Sequence, residues 1–272
     1  MFCNRRAMDR PAGEGLGTQL AKSGFETYLV DLRGHGQSGP AASRNVDFSY
    51  DDIVLRDIPA VIRHVAALHP DLPLVWLGHS LGGHAGLAAL AVDRSLPVAA
   101  VVNFAGNVWI RSLEPDRWMW ARKLAISMTW ALISRLHGYF PARRYNAGTD
   151  PAGATYVRQL TENALYDRWG SLCGRYDYLS ELRWVRTPIL SVVGIADTWM
   201  CSPLAARLWL DHAVRAEVTH WVVEDPPGVD HMGLVLNSEM EPVWAQIADW
   251  ITNAISADPT LESPAVTVSA QN

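Results

Sequence analysis

The chain has 272 residues, of which 49% are apolar and 19% are charged, a composition that excludes an intrinsically disordered chain. Its 23 basic and 28 acidic residues give a net charge of −5, which argues against a nucleic-acid-binding protein. No apolar run is long enough for a membrane span, and the N-terminus has no signal-peptide core. Because Cys3, Cys173 and Cys201 are widely scattered, we expect no metal, no cofactor and a cytoplasmic location. The oligomeric state is left open.

β-rich runs alternate with helical patterns along most of the chain. In chain order, we predict a strand at Phe25–Asp31, a helix at Ser49–His69 bent by Pro59, a strand at Leu72–Gly78, a buried helix at Leu81–Val92, strands at Val98–Ala105, Ile189–Gly194 and Val218–Glu224, and a closing helix at Pro242–Ile255. The last strand is the least apolar, so we expect it near a sheet edge. Continuous apolar strands separated by helices predict an α/β fold with a parallel sheet covered on both faces.

One segment interrupts this alternation. Residues 107–186 contain no convincing strand pattern, two helical patterns (Trp118–Leu136 and Ala154–Trp169) and half of the twelve tryptophans. We therefore predict a core formed by residues 1–106 and 187–256, a helical cap formed by residues 107–186, and a polar, mobile tail formed by residues 257–272.

The sequence from Gly78 to Gly82, GHSLG, matches the G-x-S-x-G pattern between a predicted buried strand and a predicted buried helix. This context is typical of a nucleophile elbow, in which Ser80 projects from a strained turn. We expect Gly78 and Gly82 to remove side chains that would clash there, and Gly83 to let the helix approach the sheet. The Leu81 N–H, at the helix N-terminus, is a candidate oxyanion donor.

A nucleophilic serine requires a base, and the base requires an orienting acid. His231 follows the last predicted strand in a glycine-flanked loop, whereas the other downstream histidines fall within helices, the last strand or the cap: His84, His137, His212 and His220. Asp197 follows the Ile189–Gly194 strand and is the preferred acid. Asp230, Glu224 and Asp225 are its rivals. His79 and His84 are interpreted as packing or hydrogen-bonding residues.

These motifs resemble the α/β-hydrolase superfamily, in particular its serine esterase, lipase-like and lysophospholipase-like members. Asp31–Gly39 (DLRGHGQSG) resembles the loop after the strand that precedes the elbow, with His35 as a structural residue. The resemblance implies a triad of Ser80, Asp197 and His231. It also implies three strands before the first segment recognised here, so we expect an authentic start upstream of Met1. By the same resemblance, Met1 lies nearest the position of the second oxyanion donor.

Three functions remain open. The preferred one is hydrolysis of a small, lipophilic carboxylic ester through an acyl-enzyme, without stable membrane insertion. Acyl transfer to an alcohol, or hydrolysis of a C–C bond, would use the same triad. The third is a catalytically inactive binding protein or a truncated fragment, because the leading strands are missing.

Overall fold

The structure, a computed structural model, describes residues 5–9 and 15–256. Its strands are β1 (Val75–His79), β2 (Ala100–Phe104), β3 (Tyr139–Phe140), β4 (Ala152–Gly153), β5 (Ile189–Gly194) and β6 (Val218–Val223). Its α-helices are α1 (Leu16–Lys22), α2 (Tyr50–Asp52), α3 (Ile58–Leu68), α4 (Leu81–Val92), α5 (Arg117–His137), α6 (Ala154–Leu165), α7 (Tyr178–Glu181), α8 (Pro203–Leu210), α9 (Gly233–Leu236) and α10 (Glu241–Ser256). Short 3-10 turns lie at Arg5–Ala7, Arg111–Leu113, Ala142–Tyr145, Leu182–Trp184 and Ser238–Met240.

The main sheet is parallel throughout, in the order β1-β2-β5-β6. Its two faces are both covered, because alternate residues of β2 point into different apolar clusters. Val101 packs with residues of α3 and α4, whereas Val102 packs with residues of α1 and α10. The predicted parallel sheet with helices on both faces is confirmed. Strand β5 has its predicted bounds, and β6 lies at an edge as expected.

The prediction of a strand at Phe25–Asp31 is wrong, because this segment forms no strand ladder with any described residue. A strand requires a neighbouring backbone to pair with. The segment is separated from β1, which is the other edge of the sheet, by a cavity of about 490 Å³. Both ends of the segment bond elsewhere: the Phe25 main-chain N–H donates to Leu20 O, and the side-chain carboxylate of Asp31 accepts from Arg5 N.

The helix predicted at Ser49–His69 contains a π-helical turn just before Pro59, and the bend expected at Pro59 stays a prediction. The predicted helix begins after Ser49, whose hydroxyl and Asp52 form a capping box, and it continues from α2 into α3 through a π-helical turn at Ile53–Asp57. Pro59 is the second residue of α3, and the wider π turn just before it accommodates a proline, which has no N–H to donate to the preceding turn.

Helices α5 and α6 pack side by side in the segment predicted to be the cap, and Thr161 Oγ1 of α6 donates to Ser127 O of α5 at 3.0 Å. Between them, β3 and β4 form a short antiparallel pair, so the expectation of no strand in residues 107–186 is wrong. Helix α6 ends at Leu165, four residues before its predicted end, because Asp167 adopts a left-handed conformation (φ 51°). The division into core and cap stays a prediction.

Met1 and the tail at residues 257–272 lie outside the described residues. None of the helices in residues 5–9 and 15–256 combines the length and apolar composition needed to cross a bilayer.

Candidate active site

Ser80 lies between the end of β1 and the start of α4, in a backbone conformation that a serine rarely adopts (φ 52°, ψ −113°). Such a conformation costs roughly 1–3 kcal/mol and persists only where the surrounding structure enforces it. Here the Ser80 N–H donates to Phe104 O of β2 at 2.8 Å, and Ser80 O accepts from the Gly83 and His84 N–H groups. The turn is therefore held from both sides, as a nucleophile elbow requires.

The glycines around Ser80 differ in their roles. A Cβ added to Gly78 would overlap the Gly82 backbone, and one added to Gly83 would overlap Oδ1 of Asn103 on β2. Gly83 therefore permits the close approach of α4 to the sheet, as expected. The expectation for Gly82 is wrong, because an added Cβ there would meet no atom within 4 Å.

The structure brings Asp197 and His231 together, with 2.7 Å between His231 Nδ1 and Asp197 Oδ2. Both side chains are buried, and Asp197 Oδ1 accepts from the N–H groups of Met200 at 2.9 Å and Cys201 at 3.0 Å. The second ring nitrogen of His231, Nε2, is buried without a partner among the described residues. Ser80 and His231 line the same cavity. This nitrogen is therefore free to exchange a proton with a group bound there.

The rival acids are not brought to His231. Asp230 accepts the Gly233 N–H at 2.8 Å through Oδ1, so its carboxylate closes a local turn. Glu224 and Asp225 are exposed to solvent. Of the candidate acids, Asp197 is the one bonded to the imidazole.

Two further histidines flank the elbow, and both form hydrogen bonds as expected. His79 Nε2 donates to the backbone carbonyl of His231 at 2.9 Å. His84 Nδ1 lies 2.9 Å from the hydroxyl of Tyr50. The pKa of each imidazole is lowered to about 3, mainly by burial, and for His79 the neighbouring His231 also contributes to the lowering. Both side chains are therefore neutral at physiological pH.

The cavity beside Ser80 has a volume of about 60 Å³. Its wall is formed mainly by apolar side chains from the loop after β2, from α5 and α6, and from the loop after β5, including Val108, Trp109, Trp130, Val157, Leu160 and Met200. Leu81, the first residue of α4, also lines it. The Leu81 N–H is among the first N–H groups of α4, which by their position have no partner within the helix. Met1, the other expected oxyanion donor, lies outside the described residues.

One contact at the site has no signal in the sequence. The Trp109 indole N–H donates to Met200 O at 3.0 Å, and Met200 N donates in turn to Asp197. Residues 109 and 200 are far apart in the chain, so no local spacing indicates their contact. In the part of the chain that the structure describes, no three His, Cys, Asp or Glu side chains cluster as metal ligands would.

Comparison with known proteins gives one family and several partial relatives. A family model described as serine aminopeptidase, S33, matches residues 2–225. A pimeloyl-[acyl-carrier protein] methyl ester esterase of Xanthomonas axonopodis is 35% identical over 100 residues, and the match covers 34% of this chain and 33% of the relative. A tear acid lipase-like protein of Mesocricetus auratus is 26% identical over 153 residues, and the match covers 48% of this chain and 38% of the relative. The matches thus span about a third of the length of these curated relatives.

The fold is also found among solved structures. A monoacylglycerol lipase of Paleococcus ferrophilus superimposes with a TM-score of 0.58 at 16% identity, covering 91% of each chain. At this identity the likeness concerns the fold alone, and it agrees with the parallel sheet described above. The family match covers well over half of the sequence, and therefore the chain belongs to the serine aminopeptidase S33 family of the α/β-hydrolase superfamily.

Proposed function

We propose that the protein is a serine hydrolase that cleaves small, lipophilic carboxylic esters through an acyl-enzyme on Ser80. The observation that carries the proposal is the bond between His231 Nδ1 and Asp197 Oδ2, with His231 Nε2 unpartnered in the cavity that Ser80 lines. The strained conformation of Ser80 supports it, because such strain concentrates at functional positions. The names of the partial relatives, an esterase and a lipase-like protein, agree with ester chemistry.

In the proposed reaction, Ser80 Oγ attacks the acyl carbon while His231 Nε2 takes the hydroxyl proton. The carbonyl C=O becomes an oxyanion, which the Leu81 N–H stabilises; one such donor typically contributes about 100- to 1,000-fold in rate. His231 returns its proton to the alkoxy oxygen as the C–O bond breaks, and the alcohol leaves. Water then attacks the acyl-enzyme, giving its proton to His231, and the acid is released as Ser80 Oγ regains a proton. Asp197 holds the imidazole with Nδ1–H toward itself.

The cavity supports a short acyl group. Its volume of about 60 Å³ corresponds to roughly four or five water-sized groups. The wall is mainly apolar, which favours an alkyl chain over a charged one. We therefore expect p-nitrophenyl butyrate to be hydrolysed with a kcat/KM about tenfold or more above that of p-nitrophenyl laurate. Equal values for the two esters would contradict this assignment of the acyl pocket.

A fluorophosphonate probe tests the nucleophile directly, since it reacts with activated serines. We expect the protein to be labelled, and Ser80→Ala to be unlabelled while keeping its folded circular-dichroism spectrum. Labelling without ester hydrolysis would favour acyl transfer, which product analysis with an added alcohol would detect. No labelling of the folded protein would favour the inactive binding protein.

We also propose a cytoplasmic location. Cys173 is exposed and Cys201 is buried, and both are free thiols, which is the state expected in a reducing compartment.

A further inference from the structure

The outward face of α5 is unusually apolar. Exposed apolar side chains recur on this face every three or four positions, which places them in one stripe along the helix. They belong to Trp118, Ala121, Ala125, Met128, Leu132 and Leu136. The four large side chains are between 52% and 76% exposed. From residue 118 to residue 136 the stripe extends for about 27 Å. We call these six residues the α5 stripe. A contiguous exposed apolar surface of this kind marks an interaction site.

Cations accompany the α5 stripe. The 21 residues of α5 contain four Arg and Lys residues and neither Asp nor Glu, although the whole chain has a net charge of −5. Arg117, Arg122 and Arg135 are exposed. Lys123 is buried on the opposite face, where Glu114 pairs with it at 2.6 Å. The solvent-facing side of the helix therefore carries positive charge only.

The surroundings of α5 reinforce this charge at its C-terminal end, where the exposed Arg143 and Arg144 follow. At the N-terminal end, besides the buried Glu114 that pairs with Lys123, two acids lie nearby, and each accepts one or more backbone N–H groups. Asp116 accepts from Trp118 and Met119, and Asp167 accepts from Ser112. A partner of negative charge is therefore favoured along most of the helix.

The other side of α5 faces the candidate active site. Ser127 and Trp130 line the cavity that Ser80 also lines. A surface in contact with the α5 stripe would therefore be separated from this cavity by about one helix diameter, roughly 10 Å.

We propose that the α5 stripe docks the protein on an anionic lipid surface, with α5 lying in the plane of the interface. The apolar side chains would enter the boundary between headgroups and acyl chains, and the arginines would contact lipid phosphates. A second copy of this chain is the less favoured occupant, because it would bring one cationic face against another. The proposal does not require ester hydrolysis, so its outcome is separate from that of the proposed function.

Vesicle sedimentation tests the proposal with the full chain. We expect the protein to sediment with vesicles of mixed phosphatidylglycerol and phosphatidylcholine, and much less with pure phosphatidylcholine. High salt should release it, because exposed charges are screened. Leu132→Glu and Leu136→Glu should each weaken binding about tenfold or more, since each removes a buried leucine from the interface. Ser80→Ala should bind as the wild type does.

Leu68→Glu is the matched control, because Leu68 of α3 is 51% exposed and Leu132 is 58% exposed. This control should leave vesicle binding unchanged. The circular-dichroism spectrum of all three glutamate variants should match that of the wild type, which verifies that they fold whether or not the protein hydrolyses esters. The proposal is overturned if the wild type does not bind anionic vesicles, or if it binds neutral vesicles equally well. It is also overturned if the Leu132→Glu and Leu136→Glu variants bind as well as Leu68→Glu, or if the wild type is a dimer that Leu132→Glu converts to a monomer.

Discussion

The Nε2 of His79 donates a 2.9 Å hydrogen bond to the backbone carbonyl of His231, across 152 positions of sequence. The residue that precedes Ser80 thus holds the loop that carries the proposed base. Because burial lowers the pKa of His79 to about 3, this imidazole is neutral, and the bond is unaffected by pH in the physiological range.

His79→Leu should lower kcat/KM about tenfold, because a leucine cannot hold the His231 carbonyl and the loop gains freedom. His79→Gln retains a donor and should keep more of the rate. Ester kinetics, together with the rate of fluorophosphonate labelling, would compare the two. Identical rates in His79→Leu, His79→Gln and the wild type would show that this bond does not position the base.

Asp197→Asn should reduce kcat by about 10,000-fold while leaving the protein folded. Asn can still accept the Met200 and Cys201 N–H groups through Oδ1, which turns its NH₂ toward His231 Nδ1. The imidazole must then carry its proton on Nε2 and cannot accept one from Ser80. Asp230→Asn is the control and should stay within a few-fold of the wild type. Steady-state kinetics that reverse this order would assign the acid to Asp230.

Two neighbouring glycines offer a test of packing at the elbow. Gly83→Ala should lower the free energy of unfolding by about 1–3 kcal/mol, because its Cβ overlaps Asn103 Oδ1. Gly82→Ala has open space for its Cβ, and alanine favours a helix. The free energy of unfolding should therefore fall by less than about 1 kcal/mol, or rise. Urea denaturation of both variants measures the difference. Equal losses would contradict the close approach of α4 to β2.

The buried histidines predict loss of stability in acid. His79 and His84 have folded-state pKa values of about 3, below the value of 6.5 for a free imidazole, so the unfolded chain binds more protons. Their contribution is fully present above pH 6.5 and is lost as the pH falls toward 3. As the pH falls from 6.5 to 5, protonation of each of these two histidines in the unfolded chain should lower the free energy of unfolding by about 2 kcal/mol.

Denaturant titrations at several pH values would measure this slope. In His84→Gln the slope should be shallower, because one of the two imidazoles is gone. An unchanged slope in that variant would indicate that His84 is not protonated preferentially in the unfolded chain.

Two predictions used only the residues of single strands and of the loops that follow them. Strand β5 was predicted with its observed bounds, because its residues are buried on both faces and form one continuous apolar run. The proximity of Asp197 and His231 was predicted because both follow parallel strands, whose carboxyl ends meet at one edge of the sheet.

The errors arose where a distant partner decided the outcome. Phe25–Asp31 has β-forming residues, yet a strand exists only when a second backbone pairs with it. Strands β3 and β4 contain two residues each, too few for any periodicity to be detected. The role of His79 depends on a carbonyl 152 residues away, which no spacing within the GHSLG motif indicates.

The peptide groups of Met200 connect Asp197 to Trp109. The Met200 N–H donates to the Asp197 carboxylate, while its carbonyl accepts from the Trp109 indole and from the Asn107 amide. Trp109 also forms part of the cavity wall. A ligand that displaces this tryptophan must therefore either break its bond to Met200 or shift the peptide that anchors the carboxylate. Occupancy of the pocket and orientation of His231, which Asp197 contacts, are therefore coupled through the Met200 peptide.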